Sequence, residues 1–307
     1  MKILVTGASG FVGSHLVRSL QKNGHEVLGT SRTKFDGFDE GVHVIAGMDD
    51  DFASLIEDVD LVVHAAGVAH HPTNDPVELR ALFEKGNRDW TQRLAAAVAE
   101  SSVRGMIHIS SIAAAGEMAG DAQEDQALEF LSDYGRSKRE AEPAVSELGT
   151  VGKLGVNLRP PLIYGKGTKG NWAKIQRLAE TGLPLPFLRV LNQRSYLSIN
   201  NLCDLVEAVS LKLDHPELSG TYQIADNGFV SLLEVLSSLR EGFGQPPRLF
   251  PFPAGLMKIG FNLLGKRQMA KGLFDDLKLN AAPLRDAFDW VPAVTTLEGM
   301  RDTASDS

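Results

Sequence analysis

Residues 2–6 run Lys-Ile-Leu-Val-Thr and break at once into Gly7-Ala8-Ser9-Gly10-Phe11-Val12-Gly13, after which a helical pattern continues to about Asn23. A short apolar run with branched side chains reads as a buried parallel strand. Glycines spaced three apart between such a strand and a helix let the backbone turn tightly, approach a pyrophosphate closely and pack helix on strand. The helix N-terminus then offers amide donors to the anion. This opening constrains the chain to a parallel sheet wound from strand–turn–helix units.

The same alternation recurs. Strands are expected at 26–31, 42–46, 60–64, 106–109 and 154–159, with helical stretches between them, including a long one at 77–101 that carries Asn87 and Arg88. Beyond about residue 165 the alternation loosens and prolines punctuate the chain at 184, 186, 246, 247, 251 and 253. Helical patterns remain near 171–181, 201–214, 230–243 and 254–264, with short strands near 196–199 and 221–225. The expected organisation is a cofactor-binding domain over 1–165. Residues 166–307 would be a smaller, mainly substrate-binding α/β domain, with segments returning to the main sheet. Ala254 to Leu264 is too short to span a bilayer and contains Lys258, so it reads as an amphipathic core or edge helix rather than a membrane contact.

The chain has 307 residues, enough for a sizeable core, and its 43% hydrophobic and 23% charged content is that of an ordinary soluble globular protein. A net charge of −8 argues against nonspecific binding to nucleic acid or anionic membranes, and no stable membrane insertion is expected. With Cys203 alone, no intramolecular disulfide can form, which fits a reducing cytoplasm. The immediate strand at the N-terminus leaves no room for a secretory signal, so a cytoplasmic location is expected.

About 20 residues past the glycines, folds of this kind place a carboxylate for a ribose 2′-hydroxyl or an arginine for a 2′-phosphate. Here the position holds Ser31 and Arg32, with no acid before Asp36, which favours NADP(H) over NAD(H). The acidic run Asp49-Asp50-Asp51 reads as a solvated helix cap, and Asp49 would also suit an adenine amino group. Ala65-Ala66-Gly67 at the end of the fourth strand are small enough for a ligand to lie against the backbone. His70 and His71 are adjacent and cannot converge on one ion, so they read as loop residues and no metal site is expected.

Ser110 and Ser111 end the fifth strand, where open parallel sheets bind ligands. After a loop containing Glu124 and Asp125 comes Tyr134-Gly135-Arg136-Ser137-Lys138, opening a helical stretch over 134–148. Residues at i and i+4 share a helix face, so one small volume receives a phenol and an ammonium. A nearby cation favours the phenolate and lowers the tyrosine pKa toward the working range of a general acid or base.

The combination of Gly7/Gly10/Gly13, a serine at the fifth strand's end and Tyr134/Lys138 resembles the extended short-chain dehydrogenase/reductases over nearly the whole chain. It looks most like the nucleotide-sugar branch, with its UDP-galactose 4-epimerase and 4-keto-sugar reductases. Further echoes are Arg159-Pro160-Pro161-Leu162-Ile163-Tyr164-Gly165, the Asn87 helix, Gly170-Asn171-Trp172, Gln193-Arg194-Ser195-Tyr196 and Phe288-Asp289-Trp290. The resemblance implies a Rossmann-type doubly wound sheet and a catalytic trio of Ser111, Tyr134 and Lys138. It implies cofactor contacts from Gly7, Gly10, Phe11, Val12, Gly13, Ala65, Ala66, Gly67 and Asn87. Ser110, Tyr134, Lys138, Pro161 and Leu162 would contact or flank the nicotinamide end. Ser111, Asn171 and Arg194 would contact a UDP-sugar. A homodimer through the 77–101 and Tyr134 helices is also implied. The chain departs from the 4-epimerases at Ser31, at Ala69 where they carry a lysine, and at Asn201-Leu202 where Asp-Leu is usual. A second diphosphate-clamping arginine has only Lys278 as a weak counterpart.

The implied chemistry is hydride transfer between a sugar C4 and the nicotinamide, matched by a proton moved by Tyr134, with Lys138 lowering its pKa and Ser111 donating to the oxyanion. A 4-keto reductase using exchangeable NAD(P)H, for example on a UDP-4-keto-6-deoxy-N-acetylhexosamine, is favoured by Ser31-Arg32. A 4-epimerase retaining NAD is the close alternative. A non-catalytic dinucleotide-sensing protein on the same fold is the third reading.

Overall fold

The computed structural model describes residues 1–32, 43–45, 52–69, 73, 75–116, 131–168 and 170–305. Asp36, Asp49, His70, His71, Glu124 and Asp125 lie outside the described residues, and so do the readings made of them. The chain order begins with β1 (Lys2–Thr6), α1 (Phe11–Lys22), β2 (Glu26–Ser31), β3 (His43–Ile45), α2 (Phe52–Leu55) and β4 (Leu61–His64). It continues with α3 (Pro76–Phe83), α4 (Trp90–Glu100), β5 (Gly105–Ile109), α5 (Asp133–Ser146), β6 (Leu154–Arg159) and β7 (Leu162–Tyr164). Next come α6 (Asn171–Glu180), β8 (Tyr196–Ser198), α7 (Ile199–Ser210), β9 (Gly220–Gln223) and α8 (Leu232–Gly242). The last helices are α9 (Ala254–Leu263), α10 (Arg267–Phe274), α11 (Ala282–Phe288) and α12 (Thr296–Ser305).

Seven strands form one parallel sheet in the order β3-β2-β1-β4-β5-β6-β9, and β7 and β8 pair separately. The strand order reverses between β1 and β4. In open parallel sheets a ligand crevice forms at such a switch, beyond the strands' C-terminal ends. The strands read as continuous apolar runs because both faces are covered. On one face Ile3, Val5, Val63 and Ile107 pack with Leu16 of α1 and Val206 of α7. On the other, Leu4, Val62 and Met106 pack with Leu94 and Val98 of α4 and Val145 of α5. Alternate residues of one strand thus feed two cores, as the period of two requires.

β9 returns the later part of the chain to the main sheet, pairing in parallel with β6 from Val156↔Gly220 to Arg159↔Gln223. A third cluster gathers Tyr164, Trp172, Tyr196, Leu236, Leu239 and Met300 from β7, α6, β8, α8 and α12. Asp226 fastens it to α7: its carboxylate accepts from the Tyr164 hydroxyl at 2.9 Å and from Asn201 Nδ2 at 2.7 Å. Asn201, where the family resemblance led one to look for an acid, is thus a buried structural amide.

The expected helix at 77–101 has the right span but an unexpected interior. Between α3 and α4 the turns widen into a π-helical stretch, Glu84–Asp89, which includes Asn87. Such wide turns recur at functional sites, and this one rotates a buried amide toward the switch point.

Candidate active site

A groove of about 420 Å³ opens at the β1/β4 switch, lined by Gly7, Gly10, Ser31, Arg32, Ala65, Ala66 and Gly67, all singled out from sequence. Glu78, Leu82 and Lys85 close its other side; nothing in their sequence context marked them. Gly7 has φ +70° and a Cβ there would sit 2.7 Å from Ala66 backbone atoms; a Cβ on Gly13 would sit 2.2 Å from the Gly7 carbonyl oxygen. Only glycine permits the turn and the close seating of α1. Gly10 caps α1 without using a side chain, its own N–H donating to Gly7 O at 2.8 Å. This cradle fits a dinucleotide pyrophosphate at a helix N-terminus. Phe11 and Val12 open α1 and pack against the first core. Ser31 is buried and Arg32 exposed at the end of β2.

At the inner end of the groove stands Lys138, since a Cβ on Gly67 would lie 3.3 Å from its Nζ and 2.9 Å from Asn87 Oδ1. Asn87 is fully buried. Its Oδ1 accepts from Val68 N at 2.7 Å and its Nδ2 donates to Val68 O at 3.0 Å and Ser137 Oγ at 2.9 Å. It therefore locks the loop after β4 to α5, fixing one groove wall relative to the other. In the structure it is a clamp behind the groove wall.

Helix α5 starts where Ser132 accepts from Gly135 N at 3.1 Å, a side-chain cap that sets Tyr134 in the first turn. Ser111 begins a short 3₁₀ turn, accepts from Ala113 N at 3.2 Å, and hydrogen-bonds the Tyr134 phenol. The phenol packs edge-on to Phe83, ring centroids 5.7 Å apart. Serine, tyrosine and lysine thus converge where the sheet's C-terminal edge meets α5. The tyrosine pKa, however, stands above its ordinary value because of burial, opposed by the Ser111 hydrogen bond. The expected lowering by Lys138 is not what governs it here, because the ammonium is directed elsewhere: Nζ donates to Ile109 O at 3.0 Å and to His108 Nε2 at 3.3 Å.

Behind the trio lies a buried polar layer that sequence reading did not find. Asn157 Nδ2 donates to Glu142 O, Ser146 Oγ and Thr221 Oγ1, so its Oδ1 accepts from His108 Nδ1 at 2.8 Å and leaves Nε2 bare to receive Lys138. His64, stacked at 5.6 Å from His108, is bracketed by Thr6 and Thr91. Ser110 turns its hydroxyl inward to Glu142 Oε1 at 2.6 Å, and Arg159 grips both oxygens of the same carboxylate at 2.8 and 2.6 Å. Ser110, implied as a contact on the nicotinamide side, is thus committed beneath the surface.

Burial lowers the Lys138 pKa from 10.5 to about 8, with Glu142 opposing the change. Burial, aided by the Lys138 charge, takes His64 to about 3 and holds His108 well below 6.5. Between pH 8 and 10.5 the unfolded chain binds a proton at this lysine that the folded chain does not, so stability rises with pH there, by at most about 3 kcal/mol. The histidines act in the same sense lower down: uncharged when folded, they gain protons on unfolding below pH 6.5, and stability falls on acidification. Lys138→Met removes the first effect and relieves the second. Denaturant unfolding at acid, neutral and alkaline pH is therefore expected to show the variant gaining on the wild type at low pH and losing ground at high pH. A pH-independent difference would contradict the assignment.

A second cavity, about 260 Å³, is lined by Leu162, Asn171, Arg194 and Tyr196 together with Phe261, Met269 and Leu273. Asn171 begins α6 after Gly170, and Leu162 follows Pro161 directly beyond β6. Arg194 is anchored on the wall, donating from Nη1 to Asp275 O at 2.6 Å and hydrogen-bonding the Tyr196 hydroxyl. Lys278 lies over the Phe229 ring at 5.8 Å.

Residues 3–225 match the family model described as "NAD dependent epimerase/dehydratase family". A Vibrio cholerae protein named UDP-glucose 4-epimerase is 32% identical over 98% of this chain and 94% of its own length. A Pseudomonas aeruginosa UDP-2-acetamido-2,6-beta-L-arabino-hexul-4-ose reductase is 33% identical over 56% of this chain and 38% of its own. In fold, the chain is similar to UDP-glucuronic acid 4-epimerase from Bacillus cereus in complex with NAD, at 22% identity and TM-score 0.76 over 100% of this chain and 96% of that one.

Proposed function

This chain belongs to the NAD dependent epimerase/dehydratase family, and from that premise we propose that it is an NAD(P)-dependent oxidoreductase working at C4 of a UDP-sugar. The reaction proposed is reduction of a UDP-4-keto-6-deoxy-hexosamine for surface polysaccharide synthesis. The observation that carries the choice of reductase is Ser31–Arg32 on the groove wall at the end of β2, a pair suited to a 2′-phosphate and hence to an exchangeable NADP(H). The glycine turn would hold the pyrophosphate, Arg32 the 2′-phosphate and Lys138 the nicotinamide ribose. Bound there, the dinucleotide would supply the hydride for C4.

The chain's own part is proton and charge management. Tyr134, kept protonated by burial, delivers its phenolic proton to the C4 oxygen as negative charge develops on it. Ser111, already on the phenol, donates a hydrogen bond to the same oxygen. The Lys138 ammonium, one helical turn along and held in the resting structure by Ile109 O and His108, would turn from them to stabilise the phenolate that remains. Asn171 and Arg194 would hold the diphosphate in the second cavity, which is built mostly from residues beyond 165. On this reading residues up to about 165 serve cofactor binding and the later ones mainly substrate binding.

The second reading, a UDP-hexose 4-epimerase with retained NAD, is supported by the name of the Vibrio cholerae relative. A sensing protein without turnover has no use for the convergent trio. The test is to denature the purified protein, identify any dinucleotide released, and then follow NADPH or NADH oxidation with a UDP-4-keto-6-deoxy sugar. Substrate-dependent NAD(P)H consumption by a protein that releases none supports the reductase; stoichiometric NAD with cofactor-independent UDP-hexose interconversion overturns it. Arg32→Asp is expected to shift preference from NADP(H) toward NAD(H) by about tenfold or more, since a charge-assisted contact becomes a like-charge one. An unchanged preference would defeat the role given to Arg32.

A further inference from the structure

Helix α9 buries none of its residues completely, although it is apolar almost all the way round. Its inward stripe, Ala254, Met257 and Phe261, meets the third core cluster and the second cavity. The opposite stripe faces out: Leu256 is 57% exposed, Ile259 55%, Leu263 83% and the following Leu264 73%. Of the core and edge placements expected from sequence the helix takes the edge one, but an edge helix of a free-standing protein would carry polar groups on this side. Phe250 and Phe252, also exposed, extend the patch from the loop before the helix, and Leu188 joins it where its N–H donates to Phe250 O. A contiguous apolar surface of this kind marks a contact surface.

Its charge identifies the occupant. Residues 249–274 contain Lys258, Lys266, Arg267 and Lys271 and no aspartate or glutamate, a local excess of four positive charges on a chain of net −8. Lys258 is paired with Asp275, and Asp276 accepts from Gln193 N; Lys266, between the two helices, and Arg267, the first residue of α10, are exposed soon after Leu263 and Leu264 in the chain. Outward leucine and isoleucine with phenylalanines at one end and cations at the other is the composition of a helix that lies in the interface of an anionic bilayer. A second copy of this chain is a poor fit, because a two-fold contact through this patch would set its cations against their own images. The overall negative charge keeps the rest of the molecule off such a surface, so attraction is confined to one face.

We propose that the α9–α10 hairpin is a peripheral docking surface for an anionic lipid bilayer. The same hairpin supplies Phe261, Met269 and Leu273 to the wall of the second cavity, so docking sets that cavity at the membrane surface. Among the described residues no helix is long and apolar enough to cross a bilayer. The assignment is independent of the sugar chemistry proposed above.

The test is cosedimentation of the full-length protein with sucrose-loaded vesicles of phosphatidylcholine alone or with roughly one-third phosphatidylglycerol. Binding is expected on the anionic vesicles only, weakening with salt, and falling about tenfold or more in Leu256→Glu/Leu263→Glu and in Lys266→Glu/Arg267→Glu. Unchanged unfolding midpoints would establish that both variants fold, and the second replaces only exposed side chains. Wild-type protein that stays in the supernatant, or variants that bind as well as wild type, would overturn the proposal. So would a concentration-dependent dimer, seen by light scattering and lost in Leu256→Glu/Leu263→Glu, in the absence of vesicle binding.

Discussion

Tyr134→Phe is expected to reduce turnover by about a hundredfold to ten-thousandfold, the range over which a positioned acid or base contributes, while leaving dinucleotide binding in place. The substitution removes only the phenolic oxygen. The ring keeps its edge contact with Phe83, and the Ser132 cap that starts α5 is untouched. The groove that would hold the dinucleotide is lined by the glycine turn, the end of β2 and the residues after β4, not by the phenol. Loss must therefore fall on the chemical step. Because burial holds the phenol above its ordinary pKa, the wild type carries the proton at neutral pH and is a ready donor to a developing alkoxide. Single-turnover rates measured beside dinucleotide titration would separate the two steps. Turnover surviving in the variant would remove Tyr134 from the acid/base role, and turnover and dinucleotide binding lost together would make it structural.

What could be read from the sequence and what could not divides by the range of the signal. The glycine turn, the parallel strands and the helix starting at Tyr134 are local patterns, and β1, β2 and β6 fall where the apolar runs put them. β9 was legible as a short strand in a region expected to send segments back to the main sheet; its pairing with β6 in particular comes from chain topology. The π-helical stretch at Asn87 was hidden because the apolar repeat of 77–101 continues through it and does not record one widened turn. β7 and helices α10 to α12, three to ten residues long, are not among the elements expected from the sequence. The layer under Ser111, Tyr134 and Lys138 is the clearest case. Glu142 reads as one more charge on a polar helix and Arg159 as the end of a strand. Only the packing of α5 on β6 brings them together, and with them His108 and Asn157.

That hidden pair yields the largest effect on stability. Glu142 is 3% exposed and Arg159 5%, and the two charges are paired bidentately with no solvent to replace a missing partner. Glu142→Ala leaves a buried guanidinium uncompensated and strips Ser110 of its acceptor, so it should destabilise the fold by about 3–5 kcal/mol. Arg159→Met added to Glu142→Leu should recover much of that loss, since apolar replacement of both partners removes the desolvation cost along with the attraction. Denaturant unfolding of the two single variants and the double variant measures the coupling. Additive losses would mean that the pair does not act as a unit. The pair also reaches Lys138, because the Glu142 carboxylate is what opposes the lowering of the Lys138 pKa. Glu142→Gln keeps an acceptor for Ser110 but loses the charge. Lys138 should then lose its proton at a lower pH, and the alkaline limb of the activity profile should move toward neutrality. A loss of stability with no movement of that limb would confine Glu142 to holding α5 against the sheet.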